Sequence, residues 1–191
     1  DETLLSHDVI YSGGYATDSE DTHGSAVISL MIAPHDTWGI MGIAPNASVA
    51  TYNPFDETNT AGWNDVELGI NALVDNDARV INMSLGVPGS VLSEEWSSIL
   101  GGVVSDPSSE GTIFVKAAGN EGAVQPGDVA WSSQAALDRL IIVGATGIDG
   151  EIASWSNTPG EACAVFDGVC AESNKLKYNF LVAPGEFILV S

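Results

Sequence analysis

The residues best suited to chemistry in this chain are a histidine and an asparagine, each at the end of a regular element. His23 directly precedes an apolar-periodic segment that predicts a helix ending before Pro34. The positive end of a helix dipole disfavours imidazolium, and a neutral imidazole can act as a general base. Asn120 follows an apolar run, where its amide could donate a hydrogen bond to an oxyanion. Each residue also has a structural interpretation, His23 as a helix-start residue and Asn120 as part of a turn.

Small residues surround the asparagine and predict a slot beside it. Ala117, Ala118 and Gly119 leave room for a substrate side chain to enter. The segment Ser84–Gly86, with Leu85 at its centre, follows another apolar run, and its exposed backbone could pair with an extended peptide. Ser84 is not a predicted nucleophile, because no Gly-x-Ser-x-Gly elbow surrounds it.

These residues must be positioned by a sheet, and the pattern of the chain predicts one. Apolar runs alternate with amphipathic segments, which indicates an α/β fold with a mostly parallel sheet covered by helices on both faces. In such a sheet the site groups would meet at the ends of adjacent parallel strands. The predicted strands are 9–11, 48–52, 80–83, 112–117, 140–145 and 187–190. The predicted helices cover 64–75 and 94–104, and a third begins at His23 or Gly24 and ends at Pro34.

Composition narrows the possible partners. The 191 residues predict one domain over 1–191, and 5 basic against 26 acidic residues give a net charge of −21, which repels nucleic acid and anionic membrane surfaces. The acidic residues are either solvating charge or ligands for Ca²⁺, and none has the spacing of an EF-hand loop. The apolar stretch Ala26–Ile32 is too short to cross a bilayer. Oligomeric state and the substrate side chain preferred by the slot stay open.

Two further motifs have competing interpretations. Cys163 and Cys170 predict a small disulfide-closed loop, and therefore a secreted or cell-surface protein, with two buried thiols as the alternative. The segment Gly144–Gly150 imitates a dinucleotide-binding fingerprint. A true fingerprint opens a helix, and the residues after Gly150 predict a strand and a turn instead. We therefore predict no nucleotide site.

Several motifs together resemble the subtilisin-like serine proteases, the subtilases. They are His23-Gly-Ser-Ala-Val-Ile28, Gly39–Ala47, Asn82-Met-Ser-Leu-Gly86, Val115–Gly122 and Phe180–Gly185, in the order of the family. The resemblance implies a three-layer fold and peptide-bond hydrolysis by a Ser-His-Asp triad with an asparagine oxyanion hole. It makes His23 the general base, Asn120 the oxyanion donor, and Ser84–Gly86 and Ala117–Gly119 the walls of a cleft for an extended peptide or protein.

The resemblance has further implications for the rest of the protein. The chemistry needs no cofactor; structural calcium is typical of the family, and no calcium ligands can be named. The paired cysteines are similar to those of subtilases that are autotransporter passengers. The family's triad runs Asp, His, Ser, and the chain begins after the Asp and ends before the Gly-Thr-Ser-Met nucleophile motif, so we expect an active parent and an inactive chain. The alternative is a catalytically dead, subtilase-shaped module that binds peptide or acts as a scaffold.

Overall fold

The computed structural model describes residues 9–15, 23–35 and 39–188. These residues form two compact units, one within residues 9–78 and one over residues 79–188. The single domain expected over 1–191 stays a prediction.

The first unit contains a pair of parallel strands and two helices. Its elements are β1 (Val9–Gly14), α1 (His23–Ile32), β2 (Val49–Asn53) and α2 (Trp63–Asp75). Helix α2 packs on β2 and β1. It buries Val66, Ile70 and Val74, whose spacing of four places them on one helical face. The close approach to β2 requires a glycine, because a Cβ on Gly69 would lie 2.7 Å from the ring of Tyr52.

The second unit is built on a four-stranded parallel sheet. In chain order its elements are β3 (Val80–Met83), α3 (Glu94–Val104), β4 (Ile113–Ala117), β5 (Val129–Ala130), α4 (Gln134–Asp138), β6 (Leu140–Thr146), β7 (Ala164–Val165) and β8 (Phe180–Pro184), with 3-10 turns at Pro107–Ser109, Glu172–Asn174 and Leu176–Tyr178. The large sheet has the order β3-β4-β6-β8, and β5 pairs with β7 in a separate parallel pair. Every pairing between these strands is parallel, as the sequence predicts.

Alternation along the strands gives this unit its core. In β4, Phe114 and Lys116 are buried while their neighbours are only partly so, and in β6 Leu140 and Ile142 are fully covered. Helix α3 contributes Trp96, which is also fully buried. Burying each large apolar side chain contributes roughly 1.5–3 kcal/mol, so this layer is the main stabilising element of the unit.

Most predicted elements are confirmed to within a residue or two, and one is wrong. Strand 187–190 does not form in its described part, where Phe187 has a φ of +54°, which no strand residue adopts. The edge strand is instead β8, from Phe180 to Pro184, in the segment that the family resemblance had identified. Periodicity missed the short elements β5, β7 and α4. Within the described ranges, no helix combines the length and apolar character that crossing a membrane requires.

Candidate active site

His23 lies where the sequence predicts, as the first residue of α1. Its side chain is exposed, and the first turn of the helix holds no acidic residue. The unpaired backbone N–H groups of a first turn point toward this end of the helix. The helix ends at Ile32, two residues before Pro34, because proline cannot continue the hydrogen-bond ladder.

Asn120 lies in the loop 118–123, which leaves the carboxyl end of β4. The chain turns sharply here, with φ of +106° at Gly119 and +63° at Gly122. The Asn120 side chain is exposed, and its backbone N–H donates to Oε2 of Glu121 at 3.1 Å. The loop therefore presents an amide at the edge of the sheet, as an oxyanion donor requires.

The side chain of a buried asparagine forms hydrogen bonds with this loop. The side chain of Asn157 is fully buried, and its Oδ1 accepts from the backbone N–H groups of Glu121 at 3.1 Å and Ala123 at 2.8 Å. Its Nδ2 donates to the carbonyl of Ala118 at 3.2 Å and to Oε2 of Glu121 at 2.7 Å. Both lone-pair positions and both N–H groups of the amide are thus used by one loop.

The Glu121 carboxylate links this loop to the segment after β3. Its Oε2 accepts from the N–H of Gly89 at 3.0 Å, besides Asn120 and Asn157. The hydrogen bond from Gly89, together with that from Asn157, holds the pKa of Glu121 below its usual range. The carboxylate therefore stays ionised as it joins the two segments.

The two predicted walls of the cleft leave neighbouring strands. In the parallel pairing of β3 with β4, Met83 lies opposite Lys116, so Ser84–Gly86 and Ala117–Gly119 emerge side by side. Ser84 and Gly86 are exposed, whereas Ala118 is only 1% exposed. Within this unit the structure brings the predicted substrate-binding residues and Asn120 together.

Lys116 is a buried residue beside the predicted walls that was not among the predicted site residues. It is 1% exposed, its Nζ donates to the Ala117 carbonyl at 2.7 Å, and it lies 5.5 Å from the centroid of the Trp96 ring. A Cβ on Gly86 would lie 3.1 Å from Nζ, so the ammonium lies close to both walls. Burial lowers the pKa of Lys116 to about 8, and the charge of Glu121 opposes this shift. The sequence pattern that indicates this burial is the position of Lys116, two residues after Phe114 in a strand predicted to be buried.

An open cavity of about 430 Å³ with a mixed polar and apolar lining lies in the same unit, and Glu94, Glu95 and Asp128 are among its lining residues. Gln125 is one of the lining residues, and its Oε1 accepts hydrogen bonds from the N–H groups of Val91 and Leu92 at 2.8 and 3.1 Å. None of the predicted site residues is among the residues that line it. The cavity is therefore not the predicted cleft.

The structure tests three other sequence predictions. Cys163 and Cys170 form a disulfide, with their Cα atoms 5.8 Å apart, which confirms the pairing. After β6 the chain turns back so that Thr146 bridges Ile152, and residues 151–160 form a bridge and turns rather than a helix, as the sequence predicts. Within residues 9–15, 23–35 and 39–188, no group of three His, Cys, Asp or Glu side chains could hold a metal ion, so no calcium ligands are assigned.

Comparison with protein families identifies one that spans most of the chain. The profile of the subtilase family matches residues 7–186. Subtilisin E of Bacillus subtilis (strain 168) is 31% identical over 152 residues, which is 80% of this chain and 38% of the relative. The minor extracellular protease Epr of the same strain is 29% identical over 161 residues, or 81% of this chain and 23% of the relative. The major intracellular serine protease of that strain is 31% identical over 168 residues, or 87% and 46%. The chain thus spans less than half the length of each of these relatives.

Solved structures share the fold. Sphericase superposes with a TM-score of 0.62 at 25% identity, covering 88% of this chain and 54% of that chain. The prenylagaramide maturation protease PagA superposes with a TM-score of 0.64 at 22% identity, covering 95% and 58%. The α/β architecture with mostly parallel strands is therefore that of known proteases.

Proposed function

From the premise that the chain belongs to the subtilase family, we propose that it is the core of a serine endopeptidase. His23 is the general base and Asn120 the oxyanion donor. The observation that carries the proposal is the loop 118–123, which holds the exposed Asn120 and follows the strand paired with the one that leads into Ser84–Gly86. An amide so placed has a use in acyl transfer that a simple turn would not need.

The proposed mechanism divides the reaction into two acyl-transfer steps. In the first, a serine hydroxyl attacks the peptide carbonyl while His23 takes its proton and passes it to the leaving amine, so that the C–N bond breaks and an ester to the serine forms. In the second, water attacks this ester while His23 takes the proton of the water and returns it to the serine oxygen, which releases the acid. The carbonyl oxygen becomes an anion in the tetrahedral intermediate and accepts a hydrogen bond from the Asn120 amide. The mechanism also requires a nucleophilic serine and an aspartate that orients the imidazole, and neither role is assigned to a residue of this chain.

The proposed substrate is an extended peptide or protein. Its backbone pairs with Ser84–Gly86, as an added strand pairs with a sheet edge. The side chain before the scissile bond enters between Leu85 and Ala117–Gly119. The small, partly exposed side chain of Ala117 leaves the slot open, Ala118 lies buried within the wall, and Gly119 brings the backbone of the second wall close to the substrate.

The proposal is tested on the chain joined to its flanking sequence. Asn120→Ala should lower kcat by about 10²–10³ with little change in KM, because the hydrogen bond forms only in the intermediate. His23→Ala should remove most of the activity. His35→Ala is the matched control, because His35 is exposed and its Nε2 is 2.9 Å from the Gly42 carbonyl oxygen. Unchanged hydrolysis by His23→Ala would refute the assignment, and a wild type that binds peptide without cleaving it would support the non-catalytic module.

We further propose that the protein works outside the cytosol, as a secreted or cell-surface peptidase. The disulfide Cys163–Cys170 supports this, since such bonds persist mainly in oxidising compartments. The names of the relatives leave both compartments open, one being called extracellular and another intracellular. The test is the mass of the protein from its native host after thiol alkylation without reductant. Two alkylated cysteines would contradict the proposal.

A further inference from the structure

We propose that Asn157 is a positioning residue for catalysis, because it holds the 118–123 loop in the shape that directs Asn120 toward the developing oxyanion. The inference rests on the proposed function, in which Asn120 is the donor. Asn157 itself is fully buried and touches no substrate. Its action passes through the loop.

The side-chain amide of Asn157 replaces the hydrogen bonds that a regular strand would have supplied. All four of its hydrogen bonds go to loop residues, to the carbonyl of Ala118, the N–H groups of Glu121 and Ala123, and the Glu121 carboxylate. The backbone adds to this contact, since the N–H of Asn157 donates to the Gly119 carbonyl at 3.0 Å. Gly119 lies so close to this amide that a Cβ there would clash with Nδ2.

Segments on either side of the asparagine continue the contact. The N–H of Gly122 donates to the Trp155 carbonyl at 2.7 Å, and the N–H of Thr158 donates to the Ala123 carbonyl at 2.9 Å. The loop is therefore fixed along its whole length by residues 155–158. A loop fixed at so many points cannot change its backbone direction at Asn120 without breaking some of these hydrogen bonds.

The chemistry of the site selects an amide over an acid. Asn157 must accept from two backbone N–H groups and donate to a carbonyl and to the Glu121 carboxylate, so the partners determine which atom is oxygen and which is nitrogen. In Asn157→Asp, a second carboxylate would face Oε2 of Glu121 across a contact that is now 2.7 Å. That repulsion would act on Glu121, whose carboxylate also receives the backbone N–H of Asn120.

The experiment is a double-mutant cycle on the complete protein, with kcat and KM measured on one peptide substrate. Asn157→Asp should lower kcat by roughly tenfold to a hundredfold with KM within about twofold, since misplacing a catalytic group by about 1 Å costs on that order. Adding Glu121→Gln to this variant places an amide donor at position 121 opposite the new carboxylate at position 157. The double variant should therefore recover at least part of the lost kcat.

The matched control is Asn179→Asp, which makes the same change just before the amino end of β8, whereas the 118–123 loop follows the carboxyl end of β4. The Nδ2 of Asn179 donates to the carbonyls of Leu137 and Leu140 at 2.8 and 2.9 Å, so the variant loses stability while the loop is untouched. Its kcat should be unchanged at a temperature where the protein stays folded.

The outcomes separate the two proposals. An active wild type with an unchanged kcat in Asn157→Asp, an effect on KM alone, or an equal loss of kcat in Asn179→Asp would overturn the positioning role. Failure of the double variant to recover any kcat would do so as well. An inactive wild type would overturn the proposed function, and this inference with it.

Discussion

Replacing Lys116 by methionine should change how stability depends on pH. The ammonium is buried against Trp96 and donates to the Ala117 carbonyl, and its pKa falls from the usual 10.5 to about 8 because it is desolvated. Methionine is an unbranched side chain one atom shorter than lysine, its sulfur can contact the ring, and it has no group that titrates. The substitution therefore isolates the titration of one buried group.

The sign follows from which state binds the proton. Between pH 8 and 10.5 the unfolded chain holds a proton on Lys116 that the folded protein has released. The free energy of unfolding contributed by this lysine therefore rises with pH across that window and is constant below it. The difference of about 2.5 between the two pKa values corresponds to about 3 kcal/mol over the whole window.

The assay has two parts. Urea unfolding at several pH values from 7 to 10.5 gives the free energy of unfolding for wild type and Lys116→Met, and their difference removes the titration of every other group. The chain has only three lysines, so ¹³C-lysine NMR resolves each amine, and the Met variant identifies the Lys116 signal. Lys175→Met is the control: ion pairs with Glu161 and Glu172 raise the pKa of Lys175, so its amine stays charged through this window.

Two results would refute the reasoning. Parallel stability profiles of wild type and Lys116→Met between pH 8 and 10.5 would show that this amine is not held in a desolvated site. A Lys116 signal that titrates at the same pH as in an unfolded chain would show the same directly.

Three other changes have defined outcomes. Gly119→Ala should lower the free energy of unfolding by about 2 kcal/mol or more in urea, because φ is +106° and the new Cβ meets the Asn157 amide; an unchanged midpoint would contradict the loop geometry. Replacing Cys163 and Cys170 by alanine should cost about 2–3 kcal/mol, since the crosslink closes a short loop; equal thermal midpoints with and without reductant would argue against this. Gln125→Ala should cost roughly 2–3 kcal/mol by leaving two buried N–H groups without an acceptor, whereas Gln125→Glu keeps the acceptor and should lose less; equal losses would contradict this.

The sequence predicts elements whose signal is local. Helix α2 and helix α3 repeat apolar residues at helical spacing, and β3 matches its predicted bounds to the residue. The strand expected at 187–190 shows the limit of that signal. Its apolar residues match the pattern of a strand, but Phe187 has a left-handed backbone conformation. Short elements such as β5 hold too few residues for any period to appear.

Site residues divide in the same way. The sequence predicts Asn120 as a site residue because the residues that form its turn, Gly119 and Glu121 among them, are its neighbours in the sequence. Asn157 gave no such signal, since the three residues that its side chain bonds lie 34 to 39 residues earlier and only the fold brings them near. Lys116 was missed because its burial depends on Trp96 and on the glycine at 86, neither of them a sequence neighbour.

The distance along the chain between the 118–123 loop and residues 155–158 has a consequence for biosynthesis. The loop leaves the ribosome before the segment that shapes it, and closing the intervening stretch costs entropy that only the finished contacts recover. The loop therefore acquires its final shape late, after translation has passed Asn157. Until that point a nascent polypeptide has the 118–123 loop without the hydrogen bonds that fix it.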